Sequence, residues 1–329
     1  MDVTGPMLQE AVRLEDVQQA SQRIRPLARR TPVLTSRLFD TAAGLRAFFK
    51  CENLQRGGAF KIRGAANFVA LLTPEQRQRG VVTFSSGNHA QAVAIAAAEA
   101  GIRATIVMPQ DAPKAKLEST KAYGPVIVFH DRLRESREEI ARRIAAESGA
   151  TVLPPFDHPW IIAGQGTAAL ELLEEQPELD ALVVPLGGGG LLAGTLIAAK
   201  ALKPNIRVFG VEPALADDWH QSLRRGERVA IPPPQTIADG LRTTMPGEVT
   251  FPIVRNLVSD VLLVSEEEMK AAMRFLLTRM KILVEPSGAV AAAAVLEKKL
   301  PQDIRSAGII LSGGNVDASA LAGILRSDE

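Results

Sequence analysis

Residues 181–202 read ALVVPLGGGGLLAGTLIAAKAL: an apolar run, four consecutive glycines, then a second apolar run rich in alanine and leucine. Ala181 to Leu186 is as short and evenly apolar as a strand covered on both faces, and Leu191 to Leu202 is built from strong helix formers. A strand that feeds a helix through a glycine turn begins a βαβ unit, and the β-rich run Arg207 to Val211 completes it.

The alternation extends in both directions. Between Gly80 and Phe156 the runs Val81 to Phe84, Ala104 to Met108, Val126 to Phe129 and Thr151 to Leu153 read as strands. Between them lie the helical stretches Ala90 to Ala100, Pro113 to Tyr123 and Leu133 to Glu147. Towards the C-terminus, helices at Thr167 to Glu175, Glu266 to Met280 and Ser287 to Lys298 accompany strands at Val261 to Val264 and Gly308 to Leu311. The chain opens with a helix over Glu15 to Ala28, a strand over Ala47 to Cys51 and a helix over Ile62 to Leu72. The polar segment Pro74 to Arg79 is expected to cross between two units, and Pro232 to Pro234 and Thr243 to Gly247 read as loops. The expected fold class is α/β, with two units that each carry a mostly parallel open sheet flanked by helices. The first segment is expected to join the second unit.

Composition narrows the functions. A chain of 329 residues with 46% hydrophobic content can bury two cores. Its 38 basic and 37 acidic residues nearly cancel, which gives no case for nucleic acid or an anionic membrane and favours a small-molecule partner. One cysteine, Cys51, and the lack of a signal pattern at the start are the marks of a cytoplasmic protein. No apolar run approaches the roughly 20 residues of a membrane helix.

The chemistry sits at turns. Gly187, Gly188, Gly189 and Gly190 present bare backbone N–H groups at the positive end of a helix, a cradle for a phosphate. No Lys-Ser/Thr follows, so this is not a P-loop. Gly188 to Ala193 also fits G-x-G-x-x-A, and Glu212 ends the next strand as a dinucleotide site requires, so this segment alone is compatible with NAD. Two further turns weigh against that. Ser312-Gly313-Gly314-Asn315 places a hydroxyl after a strand, able to hydrogen-bond a ring nitrogen. Ser85-Ser86-Gly87-Asn88-His89 offers hydroxyls, an amide and N–H groups to a carboxylate. Lys61, between Phe60 and Ile62 in a stretch without acids, is expected to be desolvated and partly neutral, as a Schiff-base lysine must be. Together these fit pyridoxal 5′-phosphate better than a dinucleotide. Glu212 and Asp218, six residues apart across a proline turn, can supply two carboxylates to a hard divalent cation such as magnesium, manganese or calcium.

Nearly the whole chain resembles the serine racemase and threonine/serine dehydratase family of fold type II pyridoxal phosphate enzymes. The resemblance is carried by Phe49 to Asn53, Ala59-Phe60-Lys61, Phe84 to Gln91, Ala163 to Thr167, Gly187 to Gly190, Ile237 to Gly240, Val284-Glu285-Pro286 and Leu311 to Asp317. It implies a large cofactor-binding domain of residues 1–75 and 153–329 and a small mobile domain of residues 76–152. By the same resemblance Lys61 forms the Schiff base, Phe60 packs beneath the ring and Asn88 contacts the ring hydroxyl. Gly187 to Gly190 with the Leu191 amide hold the phosphate, and Ser312 meets the ring nitrogen. Ser85, Ser86, Gly87, Asn88 and His89 would take the substrate carboxylate, with Ser86 as a second proton carrier opposite Lys61. Glu212, the Ala216 carbonyl and Asp218 fall on the family's metal positions. Arg137 lies in a region that faces the closing cleft, where it would hold a second carboxylate. A homodimer is implied too. Ala59 stands where many members carry serine, a mark of a subgroup. Biosynthetic threonine dehydratases append a regulatory domain that this sequence, ending at Glu329, does not carry, so feedback by isoleucine is not expected.

The implied activity is loss of water and ammonia from serine or threonine, racemisation of serine, or ammonia loss from 3-hydroxyaspartate. A nicotinamide oxidoreductase and a non-catalytic amino-acid sensor are the competing classes.

Overall fold

The structure is a computed structural model that describes residues 12–85, 87–112, 114–131 and 134–326. Among the described residues ten strands fall into two sheets. They are β1 (Val33–Thr35), β2 (Arg46–Cys51), β3 (Val81–Phe84), β4 (Ala104–Pro109), β5 (Val126–His130), β6 (Thr151–Val152), β7 (Ala181–Pro185), β8 (Arg207–Pro213), β9 (Asp260–Val264) and β10 (Ser306–Leu311). A six-stranded sheet runs β1-β2-β10-β7-β8-β9, and a four-stranded sheet runs β5-β4-β3-β6. Every pairing is parallel except the antiparallel edge of β1 on β2. The α/β expectation therefore holds, and β1 and β2 lie in the six-stranded sheet beside β10.

Both faces of the larger sheet are covered. On one side lies the helix Pro286–Leu296, buried from Ala289 to Ala294, where alanines let the helix approach the strands closely. On the other side the helices Pro159–Glu175 and Gly190–Leu202 pack together, with Val184, Leu192 and Leu196 in the core between helix and strand. Each such fully buried aliphatic side chain contributes about 1.5–3 kcal/mol. A Cβ on Gly166 would sit 2.7 Å from the Gly194 carbonyl, so glycine is what lets these two helices meet.

That requirement corrects one expectation. The helix expected over Thr167 to Glu175 begins already at Pro159, with the His158 ring accepting the Trp160 N–H and proline at its first position. Gly164 and Gly166 look like breakers in sequence and are interior packing positions in the fold. Pro74–Arg79 is likewise a helix rather than an irregular crossing, because Thr73 and Gln76 form a capping box ahead of it. Helices at Arg37–Ala43, Asp218–Arg225, Thr250–Leu257 and Ala318–Arg326 and the strand β1 are additional to those expected, and each of these helices is at most nine residues long. The stretch expected as a helix from Leu133 starts at Arg137, capped by Ser136.

Candidate active site

Open parallel sheets bind ligands beyond the carboxyl ends of their strands, where the strand order reverses. Both sheets have such a point. In the larger one the chain runs outward from β7 to β8 and β9, while β10 lies on the other side of β7; in the smaller one β3 leads to β4 and β5, while β6 returns beside β3. The four loops leaving β7, β10, β3 and β6 converge on one cavity of about 480 Å3. It is lined by Gly187 to Leu191, Ser312, Ser85, Gly87 to His89, and Pro155 with Phe156.

Lys61 enters this cavity at the start of the helix Lys61–Ala70. Its place is set by β10: the Phe60 N–H donates to the Ser312 carbonyl at 3.0 Å, and Ala59 bridges Gly313. The Lys61 Nζ donates to the Pro155 carbonyl at 2.8 Å. Among the described residues no carboxylate pairs with it, and burial lowers it from 10.5 to about 8.

Two residues after Lys61, Arg63 is the centre of a buried charge network. Arg63, fully buried, donates to both oxygens of Glu52 at 2.7 and 2.8 Å and to both oxygens of Glu171 at 2.8 Å. Lys50, also fully buried, meets Glu171 at 2.6 Å, so two cations balance two carboxylates. Burial disfavours the Arg63 charge, but Glu52 and Glu171 outweigh it and raise its pKa.

The glycine loop is an oriented cradle. The Gly187 carbonyl accepts from the Trp219 indole N–H at 2.5 Å, and the Gly188 carbonyl accepts from the Thr250 hydroxyl at 2.8 Å. Carbonyl and N–H point oppositely across a trans peptide, so these ties turn the N–H groups of Gly188 and Gly189 away from Trp219 and Thr250. Gly189 has φ +93, and a Cβ there would lie 2.4 Å from the Trp219 ring. With the first-turn amides of the helix Gly190–Leu202, the loop fits a phosphate.

Opposite the glycines, the Asn88 amide donates to Glu285 at 2.7 Å. Burial, then the charge of Asp239, pushes Glu285 up to about 8, so it holds a proton at neutral pH. The Ser312 hydroxyl is buried in the cavity wall, 3.5 Å from the Ser287 carbonyl. The His89 ring is engaged by Thr83 at 3.0 Å and the Leu153 carbonyl at 3.3 Å. Burial, then the Lys61 charge, pushes it down to about 3, so the imidazole is neutral, and what His89 can offer a ligand is its first-turn N–H. The Ser85 hydroxyl accepts from the Gly87 N–H at 3.3 Å. Ser86 lies outside the described residues. Arg137 lines the cavity with its guanidinium 5.7 Å from the Phe84 ring centroid.

Glu212, Ala216 and Asp218 gather behind the glycine loop, all buried. Glu212 accepts the N–H groups of Trp219 at 3.1 Å and His220 at 3.0 Å. Burial, then the facing Asp218 carboxylate, raises Glu212 well above the usual range, and burial pushes Asp218 up to about 7. Among the described residues neither carboxylate has a basic partner and the two hydrogen-bond each other, a buried pair that fits a hard cation. Among the described residues no three His, Cys, Asp or Glu side chains cluster, so a backbone carbonyl such as that of Ala216 would have to complete such a site. Held in this way, Glu212 is not presented to a ribose as a dinucleotide site requires.

Sequence reasoning assigned no role to Glu285, to Asp239 and its ion-pair partner Lys116, to the Pro155 carbonyl, or to Trp219. Asp239 and Glu285 fall within stretches that carry the resemblance; nothing local marks the other three.

The lysine, the glycine cradle and the buried Ser312 hydroxyl together fit a phosphorylated pyridine aldehyde, and residues 24–313 match the family described as pyridoxal-phosphate dependent enzyme, to which the chain belongs. It is 51% identical over 314 residues to the L-threo-3-hydroxyaspartate ammonia-lyase of Saccharomyces cerevisiae, covering 95% of this chain and 96% of that protein. To the serine racemase of Schizosaccharomyces pombe it is 50% identical, covering 94% and 96%. The solved structure of maize serine racemase superposes with a TM-score of 0.92 at 45% identity, covering 97% of this chain and 98% of that one. The protein is thus an enzyme of the pyridoxal phosphate class, and no helix among the described residues is long and apolar enough to cross a membrane.

Proposed function

We propose that the enzyme is an ammonia-lyase of small β-hydroxy amino acids, serine and threonine, that also racemises serine. The observation that carries this reading is the Lys61 amine, lowered to about 8 and without a carboxylate partner, at the mouth of the glycine cradle.

When bound, the cofactor supplies an electron sink for a carbanion at the substrate Cα. Lys61 would anchor it, and its amine would serve as the base that takes the α-proton. Phe60 would pack under the ring, Asn88 would reach the ring hydroxyl, Ser312 would meet the ring nitrogen, and Gly187 to Gly190 with the Leu191 amide would hold the phosphate. Ser85, Gly87, Asn88 and His89, with Ser86, receive the substrate carboxylate on amides and hydroxyls. Loss of the β-hydroxyl followed by hydrolysis yields a 2-oxo acid and ammonia. Return of the proton by Ser86 from the opposite side yields the D-enantiomer.

A second reading places L-threo-3-hydroxyaspartate in the same site, with Arg137 pairing its second carboxylate. It is favoured by the position of Arg137 on the cavity and by the yeast relative. We further assign Glu212, the Ala216 carbonyl and Asp218 to magnesium, manganese or calcium, and residues 76–152 to a mobile unit that closes over the cavity. The enzyme is taken as a homodimer, and as cytoplasmic in keeping with a single cysteine that is buried.

The test is a panel of L-serine, D-serine, L-threonine and L-threo-3-hydroxyaspartate, read as 2-oxo acid and as inverted amino acid. Keto acid from serine or threonine, together with D-serine from L-serine, supports the first reading, and keto acid from 3-hydroxyaspartate alone supports the second. No product from any of the four would leave an amino-acid sensor.

A further inference from the structure

Trp219 touches both the carboxylate pair and the glycine cradle. It is fully buried and follows Asp218 directly. Its backbone N–H donates to Glu212 at 3.1 Å, and its indole N–H donates to the Gly187 carbonyl. The edge of its ring occupies the space where Gly189 would carry a Cβ, 2.4 Å from that position. A second tie, from the Thr250 hydroxyl to the Gly188 carbonyl, holds the same loop and has no link to either carboxylate.

We propose that Trp219 is a positioning residue that couples a divalent cation at Glu212 and Asp218 to the grip of the glycine loop on the cofactor phosphate. The proposal rests on the cation reading above. Glu212 and Asp218 hydrogen-bond each other, and a cation between them would replace that contact with its own coordination distances and so move both carboxylates. Glu212 cannot shift without carrying the Trp219 backbone with it. Movement of the indole changes the direction of the Gly187 carbonyl, and with it the Gly188 N–H across the same peptide. Cation occupancy therefore selects the loop geometry that binds phosphate best, and by reciprocity the bound phosphate tightens the cation by the same factor.

The experiment uses full-length holoenzyme. Equilibrium dialysis gives the dissociation constant of pyridoxal 5′-phosphate with Mg2+ present and with EDTA, and Mn2+ titration gives cation affinity separately. For the wild type, EDTA is expected to weaken cofactor retention about 5- to 150-fold, the usual range of coupling between sites. In Trp219→Phe, which keeps an aromatic ring and loses the indole N–H, that ratio should fall to about one while Mn2+ still binds. Thr250→Val should weaken retention equally with and without cation, leaving the ratio intact. An unchanged ratio in Trp219→Phe overturns the coupling and leaves the cation reading standing; a wild type that binds no Mn2+ overturns both. Should Trp219→Phe fail to fold, Trp160→Phe leaves Trp219 as the sole indole of a chain with two tryptophans. Its emission must then shift on adding Mg2+ to the EDTA-treated enzyme, and a silent indole refutes the proposal.

Discussion

Lys61 Nζ and the Pro155 carbonyl oxygen lie 2.8 Å apart, joining the first residue of a helix that follows β2 to the loop that follows β6. A carbonyl holds the amine in place without the full countercharge of a carboxylate, so burial remains free to favour the neutral form. With the amine lowered from 10.5 to about 8, the charged form is penalised in the folded state at pH values below about 8. That penalty is relieved as pH rises from about 8 to 10.5, in the same range where the neutral amine becomes available as a base.

Arg137→Ala tests the second carboxylate. A charge-assisted hydrogen bond is worth about 1.5–3 kcal/mol, so kcat/KM for L-threo-3-hydroxyaspartate should fall about 10- to 100-fold relative to L-serine. An unchanged ratio removes Arg137 from substrate selection.

Ser86→Ala separates the two proton carriers. Racemisation in both directions and elimination from D-serine should drop by about 100-fold or more, the usual contribution of a positioned acid or base, while elimination from L-serine persists through Lys61. Equal losses on both enantiomers would make Ser86 a carboxylate-binding residue only.

Arg63→Met leaves Glu52 and Glu171 with Lys50 alone, a net buried negative charge. Breaking a buried pair from one side costs about 3–5 kcal/mol, read as a lower urea midpoint. The double variant Arg63→Met with Glu52→Gln should recover part of the loss. A cost for Arg63→Met below about 1 kcal/mol would show that the network does not hold the start of the Lys61 helix.

Glu285 provides a pH signature. Its folded value of about 8 lies above the ordinary 4.5, so the folded state holds a proton that the unfolded chain has released. Between those values stability contributed by this group falls as pH rises, by at most about 1.4 kcal/mol per pH unit. Glu285→Gln should remove that slope, so its stability relative to wild type rises from pH 4.5 to 8. Parallel melting curves for the two proteins across this range would refute the assignment.

How much of this was legible in sequence follows from the range of the interactions involved. The glycine run, the turn Ser312 to Asn315 and the acid-free surroundings of Lys61 are local features, and the alternation of strands and helices is local as well. In the fold the glycine run follows β7 and the turn at Ser312 follows β10. Asn88 and Glu285 are 197 positions apart, Lys116 and Asp239 are 123, and Trp219 and Gly187 are 32. Such pairings exist only once the fold brings segments distant in sequence together. Helix boundaries failed where a glycine served packing instead of a turn, as at Gly164 and Gly166.

The account stands most directly on which lysine carries the cofactor. Borohydride reduction of the holoenzyme followed by peptide mass mapping fixes the attached group to one residue. Among the described residues the other lysine lining the cavity is Lys116, paired with Asp239. The predicted result is attachment to Lys61, lost in Lys61→Ala together with turnover while the circular dichroism of the fold is retained. Attachment to Lys116, or turnover by Lys61→Ala at the wild-type rate, would contradict it.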